Sequence, residues 1–250
     1  MGHGKSREFL QKVNLEKSTK VIDLSRDYRL AEDAEDFIYG LCELNKDAIQ
    51  QARRIANPGC FATCIQLGLL PLAAHSELNS EVHVTAITGS TGAGQKPLAT
   101  THFSWRNNNI SIYKPFTHQH LGEIHQSVSQ LQSGFDQDIN FIPMRGDFTR
   151  GIFASIYLNS DLSESEARGL FDNFYADSPF VHRSESPISV KDVVNTNNGL
   201  LHVSKHGNKI RIESAIDNLL KGAAGQALQN MNLMMGWNET TGLLLKGSVF

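Results

Sequence analysis

Apolar and polar residues alternate at Val82, Val84 and Ala86, which predicts a strand running into the turn Gly89-Ser90-Thr91-Gly92-Ala93-Gly94. A second alternation, with Ile152, Ala154, Ile156 and Leu158 on one face, predicts a strand over residues 151–158. Residues 200–216 read as a hairpin turning at His206-Gly207-Asn208, residues 20–24 as a strand, and Ile55-Ala56 as a short one. Helical patterns lie between them: a short helix over residues 9–13 and a longer one over 45–54. Ser163-Glu164-Ser165-Glu166 has capping-box spacing and opens a helix with Ala167, Leu170, Phe171 and Phe174 on its apolar side. The apolar segment with Cys64, Leu67, Leu70 and Leu72 predicts a helix from near Pro58, with Asn57 as its N-cap. The last long helix covers about residues 216–235 and ends near Gly236. The acidic stretch Glu32-Asp33-Ala34-Glu35-Asp36 reads as solvated surface.

Composition narrows the class. The 250 residues suffice for a sizeable core in one or two domains, and 40% hydrophobic with 20% charged residues excludes the disordered and fibrous classes. A formal net charge of -3 offers no basic footprint, so no nucleic-acid partner is expected. No apolar run approaches transmembrane length and no signal-peptide core opens the chain, so neither a membrane nor secretion is expected. Cys42, Cys60 and Cys64 form no spaced framework, which suits a reducing, cytoplasmic compartment. Met1-Gly2-His3-Gly4-Lys5-Ser6 fits a myristoylation pattern, and Gly4-Lys5-Ser6 imitates the end of a P-loop. The strand and glycine that a P-loop places upstream are missing from the sequence.

Candidate chemistry concentrates at Asn57-Pro58-Gly59-Cys60, one thiol set directly after a Pro-Gly turn at a helix start. There it meets unpaired N–H groups and the positive end of the helix dipole, both of which favour thiolate. An arbitrary intracellular cysteine is more often a small core residue; the turn and the helix start make Cys60 a nucleophile candidate. His118, His120, Glu123 and His125 stand close together, with His120 and Glu123 three apart. Three readings stay open for them: a zinc site with Cys60 or Cys64, a solvated helix start, or a histidine exchanging protons with the thiol and a reacting oxygen. The H-x3-H and C-x2-C spacings of strong metal sites are absent, and no metal is expected. Gly222-Ala223-Ala224-Gly225 gives the last helix a smooth face, at roughly 1 kcal/mol per interior glycine. Tight packing and the approach of a flat ligand both account for it.

The same stretches carry a resemblance. Asn57-Pro58-Gly59-Cys60 resembles the cysteine motif of N-acetyl-gamma-glutamyl-phosphate reductases, relatives of aspartate-semialdehyde dehydrogenase in arginine biosynthesis. Val21-Ile22-Asp23-Leu24-Ser25, the Gly89–Gly94 turn, His118-Gln119-His120-Leu121-Gly122-Glu123-Ile124, Arg150-Gly151-Ile152 and residues 217–226 are similar to further blocks of that family, in order. The resemblance implies an α/β and α+β fold, a partial Rossmann-like dinucleotide-binding domain joined to a mixed α+β catalytic and dimerisation domain. The implied division is 1–58 for the first, 59–220 for the second, and 221–250 for a helix returning to the first. His3-Gly4-Lys5-Ser6 then matches a turn after a strand of the nucleotide domain, and roughly 60–70 residues with the first Gly-rich βα turn are expected upstream.

The resemblance also implies the reaction: NADPH-dependent reduction of an N-acyl-γ-glutamyl phosphate through a Cys60 thioester, in a cytoplasmic homo-oligomer. It implies His120 as acid/base, with His118 beside it and Glu123 orienting it, and the Cys60 N–H as an oxyanion donor. Asn57 and Arg150 are implied at the substrate; Ser25, Gly92, Ala93, Gly94 and Asn218 at the cofactor. Departures touch the acyl end. Phe61-Ala62-Thr63-Cys64 replaces Tyr-Pro-Thr-Ala, Gln119 an arginine and Gly122 a proline, and Arg145 appears in a block that usually begins Pro-His. Arg145 is therefore either a second carboxylate site or a surface arginine. Two other classes remain: a non-enzymatic dimerising remnant, and a cysteine hydrolase or acyltransferase that uses no cofactor.

Overall fold

A computed structural model describes residues 4–94 and 96–248. The His3 end of the N-terminal turn lies outside the described residues. The first part of the chain is a small parallel sheet, ordered β1-β3-β2 from Val21–Asp23, Arg54–Ala56 and Ile38–Tyr39. Helices α1 (Ser6–Lys12) and α2 (Cys42–Gln51) accompany it. Both helices begin earlier than their apolar patterns suggest: Ser6-Arg7-Glu8 extends α1 with polar residues, and α2 opens on Cys42, which is buried in the core.

The second part is a seven-stranded mixed sheet, ordered β5-β6-β4-β7-β10-β9-β8. Its long strands are β4 (Val82–Thr88), β6 (Ile139–Arg145), β7 (Ile152–Asn159), β9 (Gly199–His206) and β10 (Lys209–Ile216); β5 (Ser111–Ile112) and β8 (Val181–Arg183) are short edges. β4 pairs parallel with β6 and antiparallel with β7. The alternation at Ile152, Ala154, Ile156 and Leu158 buries all four against the core, and β9 and β10 form the expected hairpin. β6 is not legible in the sequence, because Pro143 sits within it. Proline cannot donate to a ladder and is confined to sheet margins. Only the two-residue β5 covers that side of β6.

One helix joins everything. α3 (Cys60–Ala73) lies on the large sheet with α5 (His120–Leu131) and α6 (Glu164–Phe174) beside it, and residues 61–73 are all buried. It is therefore apolar all round rather than amphipathic, as a helix enclosed by the protein must be. Ser163 and Glu166 cap α6 reciprocally, at 3.2 and 2.8 Å.

The last helix departs from expectation. α7 spans Gly225–Met234, and Leu220–Ala224 before it forms a π-turn instead of regular helix. The π-turn is anchored by Lys221, which is fully buried and pairs with Glu43 at 2.6 Å. Leu233 and Met234 then pack on Cys42, Ile49 and Ile55, so α7 rejoins the small sheet.

Candidate active site

Helix α3 starts at Cys60, two residues later than the sequence suggests, because Gly59 is extended (φ -73, ψ 148). Asn57 does not cap it. Its Nδ2 donates to the Ala223 carbonyl at 3.1 Å and its Oδ1 accepts from Asn230 Nδ2 at 3.2 Å, tying the cysteine turn to the π-turn and α7. No side chain caps this helix, and its first N–H groups serve the site. The Ala62 N–H donates to His120 Nδ1 at 3.3 Å, so the neutral His120 ring carries its proton on Nε2. The N–H groups of Phe61 and Cys60 favour the ionised Cys60 sulfur.

Those groups do not by themselves make a thiolate, which corrects the sequence argument. Burial pushes the Cys60 thiol up, because a charged sulfur loses its water there. The Arg29 guanidinium and the Phe61 N–H pull it back, and Glu123 adds to the rise. Space around the thiol is set by two glycines. A Cβ on Gly59 would collide with His120 Nε2 and stand 2.7 Å from Arg29 Nη1; one on Gly222 would stand 2.8 Å from the Cys60 Cβ. Only bare backbone lets the imidazole, the guanidinium and the π-turn close around Cys60.

The histidines divide. His118 is 7% exposed, edge-on to Phe61, Tyr113, Phe141 and His120, and its Nδ1 accepts from the His120 N–H at 3.2 Å. Burial, then the neighbouring His120 and Lys114, hold its pKa down at about 3 from the ordinary 6.5. His118 therefore stays neutral where His120 is asked to exchange protons. The sign for stability follows: the unfolded chain takes a proton below pH 6.5 that the folded chain refuses until about 3, so stability falls as pH falls through that window. His118→Asn, whose Oδ1 replaces the acceptor, is expected to lessen the stability loss between pH 7 and pH 5 by about 2 kcal/mol. Urea unfolding at the two pH values measures it, and an unchanged difference refutes it.

Glu123 is 2% exposed and does more than orient a histidine. Its Oε1 accepts from Arg29 Nη1 at 3.1 Å, and its Oε2 from the Gly59 N–H at 2.8 Å and the Tyr39 hydroxyl at 2.9 Å. His120 Nε2 stands 3.9 Å from Oε1, an ion pair when the ring is protonated. His125 turns towards Phe135, and among the described residues no group of three or more His, Cys, Asp or Glu is arranged to hold a metal ion.

A cleft of about 900 Å³ opens over Cys60. The glycine-rich turn forms one wall: Gly92, Ala93 and Gly94 line it, and Gly94 (φ 75) has open space where a side chain would be. Asn218 also lines it, but its amide is committed, accepting from the N–H of Gly151 just before β7 at 2.7 Å and donating to Thr91 Oγ1 in the turn at 3.1 Å. Gly222 and Ala223 line the cleft as well. The charged residues lining the cleft are Arg29, Lys96, Lys114 and Arg145, with no carboxylate among its described lining. Such a cleft concentrates anions.

Two expected residues lie elsewhere. Arg150 does not line the cleft: its Nη2 pairs with Asp217 at 3.0 and 3.1 Å, and Asp217 also accepts from the Leu219 and Leu220 N–H groups. The ion pair anchors the π-turn and leaves that arginine neutralised. Ser25 is buried, donates to Asp23 at 2.6 Å and accepts from the Asp27 N–H at 3.1 Å, so its hydroxyl is committed within the loop after β1. Arg145, at the end of β6, does reach the cleft, stacked over Tyr113 at 4.6 Å with a buried Nε that has no hydrogen-bond partner.

Arg29, Tyr39, Tyr113, Lys96 and Lys114 also belong to the site and carry no motif in the sequence. Arg29 is a loop arginine with no local pattern, and its contact with Glu123 spans 94 positions. Lys114 adopts a left-handed backbone (φ 45), which sequence does not announce for a lysine.

Comparison with known proteins follows this geometry. Residues 60–218 match the family model described as semialdehyde dehydrogenase, dimerisation domain, and residues 1–52 the model described as semialdehyde dehydrogenase, NAD binding domain. N-acetyl-gamma-glutamyl-phosphate reductase of Phocaeicola vulgatus is 57% identical over 248 residues, covering 99% of this chain and 77% of that protein. The Flavobacterium johnsoniae protein of the same name is 55% identical over 254 residues, covering 100% and 78%. Aspartate semialdehyde dehydrogenase II from Vibrio cholerae shares the fold at TM-score 0.71 and 17% identity, over 94% of this chain and 78% of that one. Aspartate semialdehyde dehydrogenase from Francisella tularensis does so at TM-score 0.71 and 12% identity, over 94% and 80%.

Proposed function

The chain belongs to the N-acetyl-gamma-glutamyl-phosphate reductases of the semialdehyde dehydrogenase family, and from that membership we propose the role of each group around Cys60. The reaction is the reduction of an N-acyl-γ-glutamyl phosphate to the semialdehyde, with phosphate released, in arginine biosynthesis. The observation that carries the assignment is one thiol at the start of a buried helix, facing a cleft without carboxylates, with His120 packed on the glycine before it.

The Cys60 thiolate attacks the acyl carbon, a C–S bond forms, and the C–O bond to phosphate breaks to leave a thioester. First-turn N–H groups of α3 stabilise the negative charge on sulfur and then on the acyl oxygen. A nicotinamide cofactor fits the residues present: Gly92, Ala93, Gly94 and Ala223 line the cleft together with Leu24 and Leu219, and the space beside Gly94 is open. When bound, the reduced cofactor supplies hydride to the thioester carbon; we take it to be NADPH. In its protonated form His120 gives its Nε2 proton to the acyl oxygen and is left as the neutral ring, then takes that proton back as the C–S bond breaks and the semialdehyde leaves. His118, kept neutral, holds the His120 backbone.

Asn57 and Asn218 act by holding the cysteine turn and the glycine turn in place. The division at 58/59 and 220/221 is supported by the change from the small to the large sheet and by the return of α7. Self-association as a homo-oligomer is supported by the match of residues 60–218 to a dimerisation domain. No helix among the described residues is long and apolar enough to cross a membrane; the proposed compartment is the cytoplasm.

Supplying an N-acyl-γ-glutamyl phosphate with NADPH tests the reading: cofactor oxidation and phosphate release are expected one for one. Phosphate release that continues without cofactor would instead mark a hydrolase. Arg145 is the proposed reader of the acyl group, since it lines the cleft and stands over Tyr113 with an Nε that has no hydrogen-bond partner. An N-succinyl substrate carries a carboxylate that an N-acetyl one lacks, and an arginine contact discriminates by about 2 kcal/mol. Arg145→Ala is expected to erase that preference in kcat/KM; an unchanged ratio refutes the assignment.

A further inference from the structure

A buried guanidinium beside the thiol, ion-paired and with its Nε left without a hydrogen-bond partner, has no part in the chemistry described so far. Arg29 is 5% exposed yet lines the cleft. Its Nη1 donates to Glu123 and its Nη2 to the Leu24 carbonyl at 2.9 Å, which fixes the plane of the group. That plane lies over Gly59, the residue before Cys60, close enough to forbid a side chain there. Glu123 holds the same glycine from its N–H, and Tyr39, itself accepting from Gln66 Nε2 at 2.9 Å, fills the remaining carboxylate position. The ion pair thus straddles the peptide that carries the thiol.

We propose that Arg29 is a positioning residue that sets a positive charge beside Cys60 and so favours its ionised form, and that Glu123, paired with it, sets how much of that charge reaches the sulfur. The inference rests on Cys60 being the nucleophile. Other groups facing the thiol contribute less. Tyr113 and Cys64 are pushed up to about 12 by burial and His118 down to about 3, so all three are uncharged near neutrality. Arg145 keeps its charge but stands over Tyr113, whereas Arg29 stands over Gly59; Lys221 is neutralised by Glu43. His120, on the same side as Glu123, is the remaining titratable neighbour. Against the burial that pushes Cys60 up, Arg29 is the largest opposing influence.

The test is the pH dependence of Cys60 alkylation by iodoacetamide, read by fragment-ion mass spectrometry to separate Cys60 from Cys64. Arg29→Gln is expected to raise the midpoint by about one pH unit or more at an unchanged high-pH plateau. Arg29→Lys falls between it and the unsubstituted chain. Glu123→Gln is expected to move the midpoint the opposite way, a reversal that mere loosening of the loop does not produce. The double variant R29Q/E123Q leaves no unpaired buried charge, and its midpoint is expected between those of the unsubstituted chain and Arg29→Gln. Unchanged midpoints, or both single variants shifting the same way, overturn the proposal. If Cys60 is not the nucleophile, phosphate release survives Cys60→Ser whatever the midpoints do, so the two failures are distinguishable.

Discussion

Cys60→Ser is expected to lower reductase turnover by at least about 1,000-fold and to abolish the release of one phosphate per chain that thioester formation produces without cofactor. A serine hydroxyl is not ionised near neutrality, and the Arg29 charge and first-turn N–H groups that favour an ionised sulfur at Cys60 do not suffice to ionise it. The loss should be chemical rather than structural. Serine is no larger than cysteine, so Gly222 and the first turn of α3 keep their places. Cys64→Ser is the control. Its Sγ donates to the Ser214 carbonyl at 3.3 Å, burial pushes the thiol up to about 12, and a serine hydroxyl makes the same bond. Phosphate release at the unsubstituted rate from Cys60→Ser would end the covalent mechanism.

His120→Asn is expected to reduce turnover about 100-fold while the fold persists. The imidazole offers two things here: Nδ1 accepts from Ala62, and Nε2–H lies against Gly59 beside the thiol. An asparagine oxygen can accept from a backbone N–H, but its amide has no proton to give and take back near neutrality. Cofactor oxidation should therefore fall far more than the single-turnover release of phosphate. Circular dichroism checks the fold, and stopped-flow phosphate detection separates the steps. Equal losses in both would move His120 from proton donor at the acyl oxygen to activator of the thiol.

Gly59 and Gly222 mark the limit of what local reasoning reaches. The motif around Cys60 was legible because a Pro-Gly turn, a thiol and a helix start adjoin in sequence. The use of Asn57 was not. Local preference makes it a cap, whereas its amide is claimed by Ala223 and Asn230, more than 160 positions away. The π-turn shows the same competition. A regular helix satisfies local preference over residues 220–224, but a buried Lys221–Glu43 pair and the approach of Gly222 to Cys60 widen it, as often happens beside functional sites.

Sequence alone determined the elements whose causes lie within a few residues. These are the capping box of α6, the β9–β10 hairpin, the alternating face of β7, and the order of blocks that places Cys60, His120 and the glycine turn in one enzyme family. The tertiary structure decided which charges meet. It put Arg29 on Glu123 and over Gly59, took Arg150 out of the cleft to Asp217, and left Arg145 facing it. It also reversed the expected ease of ionising Cys60. Helix-start N–H groups act over one turn, whereas the cost of removing water from a sulfur depends on every element packed around it.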